Sequence, residues 1–312
     1  MIFEFTEDAF RRATEHPASI SASALVALLH HASESPHTAA YEPVDEPDDA
    51  KTWRSRWLSR LDVRLRAEID ASLRSGMTSV VYASPRKARV RVIARQSNLT
   101  IKPPELSIDD ALAVVKGPFS IWLEDNESDR EFLLRLVGHS LRQRLLLLES
   151  QASPAVRFEH GGGNVINRQL ENLTPLRALR SWAMVDSDRE EPSADLPQKV
   201  KDIIASSNKN GFRLHVLKRR EIENYIPLGA LDWWCRNETT YNQQFTADCR
   251  SLLVRELTRL DTRSFIDMKI ALGRQCAQIF SDNAVGWRPA WFNADGSESE
   301  FNELRSSLEE SI

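Results

Sequence analysis

Near residue 117 the spacing of apolar residues changes along the chain. Upstream, Trp53, Trp57, Leu61, Leu65 and Ile69 recur every four residues, which predicts one amphipathic helix over residues 52–73. Residues 1–35 read as helical with a hinge near Pro17, with Leu25, Leu28 and Leu29 on one face. Residues 33–49, rich in Pro, Ser, Asp and Glu, predict a loop. Residues 79–82 and 88–94 read as two strands of a hairpin with a basic tip at Pro85, Arg86 and Lys87. A short helix follows over 107–115, with Ser107 as N-cap and Asp109 and Asp110 in its first turn. Gly117 and Pro118 end it.

Downstream, short apolar runs alternate with amphipathic stretches. Strands are expected at 119–123, 155–158, 180–185 and 212–217, and helices at 128–148, 164–173 and 196–206. Such alternation predicts an α/β fold, a parallel sheet with helices on both faces. After Pro227 the pattern is helical over 228–235, 241–260 and 264–280, then a polar tail. The expected organisation is an α+β N-terminal domain over 1–116, an α/β domain over 117–227 and a helical C-terminal extension over 228–312. No stretch of the sequence repeats another.

Candidate chemistry lies at the ends of the apolar runs. PFSIWLEDNESDREF carries Glu124 where the first run stops, WAMVDSD carries Asp186 and Asp188, and LHVLKRREIENY carries Glu221 and Glu223. The C-terminal ends of strands in an open α/β sheet lie along one edge, where such folds place their chemistry. Several carboxylates gathered there repel one another unless a cation or shared protons compensate. The economical reading is a Mg²⁺ (or Mn²⁺) site, because Mg²⁺ takes a few carboxylates and keeps several waters.

Strand-Glu, strand-Asp-x-Asp and Arg-Arg-Glu-Ile-Glu-Asn-Tyr, in that order, resemble the TOPRIM domain. Within it the likeness is to OLD-type nucleases (overcoming lysogenisation defect) and to stand-alone TOPRIM effectors of bacterial phage defence. It spans roughly residues 117–227, with a weaker extension to about 269. The resemblance implies Glu124, Asp186 and Asp188 as ligands of a first metal ion. For a second ion it implies Asp129 and Glu223, with Glu221 as helper, and for transition-state charge it implies Lys269. The usual Glu-Gly is here Glu124-Asp125 and the next acidic position comes one residue late, so Glu127 stands beside Asp129 as an alternative ligand. The implied activity is metal-dependent cleavage of DNA or RNA as an antiviral effector. Members of this family usually carry an ATPase domain on the same chain, and no G-x-x-x-x-G-K-[ST] occurs here, so a separate ATPase partner is expected.

Charge adds one surface to this picture. The 312-residue chain carries a net charge of −4, yet residues 51–96 hold twelve Lys and Arg against Asp62, Glu68 and Asp70. That segment reads equally as a phosphate-binding surface, with Arg86, Lys87 and Arg89 at its tip, or as a solvated helix face. Lys218, Arg219 and Arg220 beside the last acidic motif are further candidates for contact with a nucleic-acid backbone. Trp53 and Trp57 share the apolar stripe and are expected in the core, although that helix and the pair Trp233-Trp234 are also candidate partner surfaces. Gly161-Gly162-Gly163 has no Walker lysine after it and reads as a turn. Cys235, Cys249 and Cys276 form no close pair, the N-terminus lacks a signal pattern and no apolar run reaches bilayer length, so a cytoplasmic protein is expected. Two other functions fit parts of the pattern. One is a glycosyltransferase using Asp186 and Asp188, which leaves Glu124 and the EIEN stretch idle. The other is a non-catalytic TOPRIM module that binds nucleic acid or a partner.

Overall fold

The computed structural model describes residues 1–33, 37–43, 49–236, 251, 259–272, 276–294 and 296–312. The chain forms two compact units, one of residues 1–119, 175–180 and 309–312, the other of residues 120–174 and 181–308. The predicted helix at 241–260 and the residues Cys249 and Trp234 fall largely outside what is described of the chain or its side chains.

The first unit opens with a strand where the sequence pattern suggested helix. Met1, Ile2, Phe3 and Phe5 are all buried, and β1 (Ile2–Phe5) lies between two neighbours as an inner strand. A strand buried on both faces is apolar without alternation, so its four residues carry no period of their own. Thr6 ends it by capping α1 (Glu7–Glu15), and α2 (Ile20–Ser33) follows. β2 (Thr38–Tyr41) emerges inside the expected loop. The single helix expected over 52–73 is two: α3 (Trp53–Leu58), capped by Thr52, and α4 (Val63–Tyr82), whose N-cap Asp62 accepts from the N–H groups of Arg64 and Leu65. Trp57 is buried against Phe10, with ring centroids 5.6 Å apart, as the apolar stripe required.

No hairpin forms. Residues 79–82 continue α4, leaving Val81 and Tyr82 exposed, and β3 (Arg89–Ile93) pairs in parallel with β1. Their β-branched and aromatic side chains favour a strand locally, but the helix packed through Ile69, Leu73 and Gly76 propagates through them. β4 (Glu105–Ser107) pairs with β3, and Ser107 caps α5 (Ile108–Lys116) as expected. The result is a four-stranded, wholly parallel sheet of order β2-β1-β3-β4. An α/β unit therefore stands where an α+β domain was expected.

The second unit follows its predicted order. β5 (Phe119–Leu123) is entirely buried. The long helix breaks into α6 (Ser128–Leu136) and α7 (Gly138–Glu149) at Gly138, whose φ of 78° is left-handed. β6 (Val156–His160), α8 (Ile166–Glu171), α9 (Pro175–Ala178, part of the first unit), β7 (Ser181–Val185), α10 (Gln198–Asn210) and β8 (Arg213–Val216) follow. The sheet order is β6-β5-β7-β8, with β5, β7 and β8 parallel. Both sheets thus have one strand order, second-first-third-fourth, although no sequence repeat marks it. After α11 (Leu228–Arg236) come short helices Leu260–Phe265 and Met268–Leu272. The expected polar tail is instead a helix, Glu298–Ser311, with Phe301, Leu304 and Leu308 buried at helical spacing.

Helix α4 and strand β2 approach each other closely at Gly76. A Cβ on Gly76 would lie 1.8 Å from the backbone oxygen of Ala39, too close for any rotamer to relieve. Gly76→Ala is expected to destabilise the protein by about 1–3 kcal/mol through overpacking. A thermal melt checks this, and an unchanged Tm would refute the contact.

Candidate metal centre

Three strand ends of the second sheet bring the predicted carboxylates to one edge. Glu124 follows β5, Asp186 and Asp188 follow β7, and Glu221 and Glu223 follow β8 in a short 3₁₀ turn (Ile222–Tyr225). Asp129 enters from the first turn of α6. The Asp186 N–H donates to Glu124 Oε1 over 3.3 Å, and the Asp125 N–H to Asp129 Oδ2 over 2.9 Å. Asp129, Glu221 and Glu223 are buried, whereas Glu127 is exposed. Of the two alternatives for the late acidic position, only Asp129 joins the cluster.

The backbone around these residues is tied down. Asp188 is the sole non-glycine residue with positive φ among the described residues, at 51°, a conformation that Asp tolerates better than most. Its N–H donates to the Arg220 carbonyl over 2.9 Å, and the buried Ser187 hydroxyl donates to the Arg219 carbonyl over 2.7 Å. Asn224, fully buried, accepts from the Glu221 N–H and donates its amide to the carbonyls of Arg263 and Ile266. That clamp fixes the turn carrying Glu223 against the segment that leads to Lys269. Gly161-Gly162-Gly163 is a turn, as expected, and its N–H groups bond the carbonyls of Leu123 and Glu124.

Electrostatics marks the cluster as short of positive charge. Burial, then Asp129, Glu124 and Glu223, drives the Asp186 carboxyl well above the usual range. Burial likewise raises Glu124, although Lys199 opposes it, and raises Glu223 against the pull of Lys269. Asp129 is pushed up to about 7, chiefly by burial and further by Glu124, Asp125 and Glu223. Asp125 behaves differently: burial works against its charge, but hydrogen bonds from Ser128 and the Glu127 N–H hold it below the usual range.

Two ammonium groups partly answer this. Lys199 Nζ, on α10, lies 2.6 Å from Glu124 Oε2. Lys269 Nζ lies 3.2 Å from Glu221 Oε2 and 3.5 Å from Glu223 Oε1. Burial works against the Lys269 charge, but Glu223, Asp186 and Glu221 outweigh it and hold its pKa above the usual lysine range. Arg220 is shared between Asp267, at 3.2 Å, and Glu221, at 3.8 Å. The six carboxylates of the cluster thus outnumber the cationic groups beside them, Lys199, Lys269 and the shared Arg220.

The donor set fits such ions. Glu223 Oε2 is buried without a hydrogen-bond partner, an acceptor left open in a protein that otherwise ties its acidic loops closely. In the present arrangement no three His, Cys, Asp or Glu side chains among the described residues stand together as a finished ligand group. Glu124 turns toward Lys199, and Glu221 and Glu223 toward Lys269. Lys199 and Asp267 were missed in the sequence, since neither lies at a strand end; both reach the site across helices.

The expected nucleic-acid residues fare unevenly. Arg219 is buried, donating to the Asn224 carbonyl and to Ser297 Oγ with its guanidinium over the Tyr225 ring, so it belongs to the interior. Lys218 pairs with Glu303 at 2.9 Å, and Arg220 serves the acidic cluster. In the first unit Arg89 pairs with Glu4 at 3.2 Å, Arg86 is exposed, and Lys87 borders a small cavity with Glu309 and Glu310. His160 Nδ1 accepts the Asn126 N–H, and His215 stacks on Trp182 beside Glu300, so neither faces the cluster.

The raised Asp129 pKa fixes a sign for the pH dependence. Unfolded, this carboxyl titrates near 3.9. Between about 4 and 7 the folded chain binds the extra proton, so apo stability falls as pH rises through that window. Asp129→Asn removes the penalty and keeps the acceptor for the Asp125 N–H. Its Tm without divalent ions should exceed that of the wild type by at least about 2 °C at pH 8, with the gap closing toward pH 4. Calorimetry across that range checks it, and a pH-independent gap would refute the coupling.

Compared with protein families, curated proteins and solved structures, the chain matches none of them.

Proposed function

We propose that this chain is a metal-dependent, phosphodiester-cleaving nuclease of the TOPRIM and OLD type, acting as a toxic effector in antiviral defence with a separate ATPase partner. One observation carries the reading: Glu124, Asp129, Asp186, Asp188, Glu221 and Glu223 gather at the C-terminal edge of one sheet with an excess of negative charge and an open acceptor at Glu223 Oε2. In this reading Glu124, Asp186 and Asp188 hold a first Mg²⁺ or Mn²⁺ ion, and Asp129 and Glu223, with Glu221, hold a second. Bound there, such ions supply Lewis-acid stabilisation of the attacking and leaving oxygens of a phosphodiester.

The chain's own groups do the rest. Asp188, in its left-handed turn, holds the second aspartate of the pair at a fixed angle from the first. Asn224 keeps Glu223 and Lys269 in register. Lys269 then offers a half-buried positive charge to the oxyanion that develops at phosphorus. Lys199 neutralises part of the charge on Glu124.

Asp186→Ala, Asp188→Ala and Glu124→Ala should each lower Mg²⁺- or Mn²⁺-dependent cleavage of labelled DNA or RNA by roughly 10³-fold or more, because several kcal/mol of charge stabilisation leaves with the metal. The folded state should survive, since each change relieves repulsion. Retained cleavage by a well-folded Asp186→Ala protein would sink the assignment, and turnover of a nucleotide sugar in a parallel assay would favour a transferase.

An unrestrained nuclease is toxic to its own cell, and no Walker motif occurs in these 312 residues. Weak cleavage by the isolated chain at physiological Mg²⁺ and co-purification with an ATPase are therefore expected. Robust, unregulated cleavage with no ATPase recovered in a pull-down from the native host would refute the partnership.

A further inference from the structure

The second unit contains a basic cleft that lies outside the acidic cluster. A cavity of about 510 Å³ is bordered by Arg135, Arg142, Arg288 and Arg305 together with Trp287 and Phe292, and Glu298 is the one carboxylate among its lining residues. Among the described residues none of these four arginines forms an ion pair, whereas Arg54, Arg89, Arg91, Arg130 and Arg220 do.

Two of the guanidinium groups, those of Arg135 and Arg305, are fixed before any ligand arrives. Arg135 Nε donates to the Phe280 carbonyl over 2.8 Å and Nη2 to Asn283 Oδ1 over 2.7 Å, with its guanidinium 5.4 Å above the Trp287 ring. Arg305 Nη2 donates to the Leu136 carbonyl at the α6–α7 break. Its guanidinium carbon stands 3.6 Å from where a Gly138 Cβ would lie. Arg142 Nε and Arg305 Nε are both buried without a hydrogen-bond partner. Phe280, Trp287 and Phe292 stack at 5.6 and 5.8 Å and make one wall apolar, which strengthens attraction for an anion. Burial and the nearby Arg142 charge lower the Arg135 pKa, although Glu131 and Asp282 oppose this.

Arg142 also borders a second cavity, of about 890 Å³, with Arg130, His160 and the Asp125–Glu127 turn that follows Glu124. One arginine therefore joins the basic cleft to the turn beside the acidic cluster. Guanidinium forks match phosphate oxygens two at a time, and several in series match a chain of phosphates better than one ion. We propose that Arg135, Arg142, Arg288 and Arg305 hold successive phosphates of a single nucleic-acid strand whose neighbouring linkage lies at the acidic cluster. The site reads backbone and not bases, since no free aromatic face is offered to them. It rests on the nuclease reading for the role of the strand, but the binding is separable from cleavage.

The test uses the full chain in EDTA and the anisotropy of labelled single-stranded DNA and RNA. Arg142→Ser combined with Arg288→Ser should weaken both by at least about tenfold, each lost charged hydrogen bond being worth that much. The slope of log K against log salt should shrink by about 0.7 per lost contact. Arg142→Lys should restore part of the affinity. Unchanged affinity and slope in a double variant with wild-type Tm would overturn the cleft, as would the absence of binding by the wild type. Competition by inorganic phosphate as effective, phosphate for phosphate, as the strand would reduce it to a simple anion site and also overturn it. If arginine-dependent binding is found but no nucleic acid is cut under any divalent ion, the nuclease reading fails and the cleft stands. Asp186-dependent cleavage with unaltered arginine variants would do the reverse.

Discussion

Mutual repulsion among half-buried carboxylates governs the second unit. Burial raises the pKa values of Glu124, Asp129, Asp186 and Glu223, and neighbouring carboxylates raise each of them further. A folded chain holds such a cluster only if the surrounding backbone is over-determined. Asn224, Ser187 and the Asp188 N–H supply that constraint, and Lys199 and Lys269 supply part of the missing charge. Strain at Asp188 and an orphan acceptor at Glu223 are tolerated at the same place, which is where a site stores what it needs for binding.

The first unit has the same strand order and the opposite outcome. Its strand-edge carboxylates are matched by arginines: Arg91 reaches both Glu42 and Glu105, Arg95 reaches Glu105, and Arg11 reaches Asp8. Glu7, the first residue of α1, accepts the Trp53 N–H and so serves the start of α3. Strand order alone therefore does not set the electrostatics of a sheet edge; the balance of charge at the strand ends does.

Arginine plays a second part in this protein. Where guanidiniums meet carboxylates they tie elements together, as Arg130 on α6 does with Glu131 and with Glu149 on α7. Where they meet carbonyls and rings, as at Arg135 and Arg305, the positive charge is held in place but not cancelled. The difference separates a structural network from a surface prepared for an anion.

The sequence by itself determined most of the second sheet and the acidic edge. Its strands are short apolar runs that end in Glu or Asp, and residues following parallel strands must share an edge whatever the details of packing. It also determined the cap at Ser107, because capping depends on neighbours within one turn. Only tertiary structure decided β1 and β2, whose four-residue runs gain strand character from flanking partners. It also decided the fate of residues 79–82, where helix propagation overrode β preference, and the choice of Asp129 over Glu127. Lys199 and the arginine cleft were invisible for one reason: they are assembled from helices distant in sequence, and no spacing along the chain records which side chains meet across a fold.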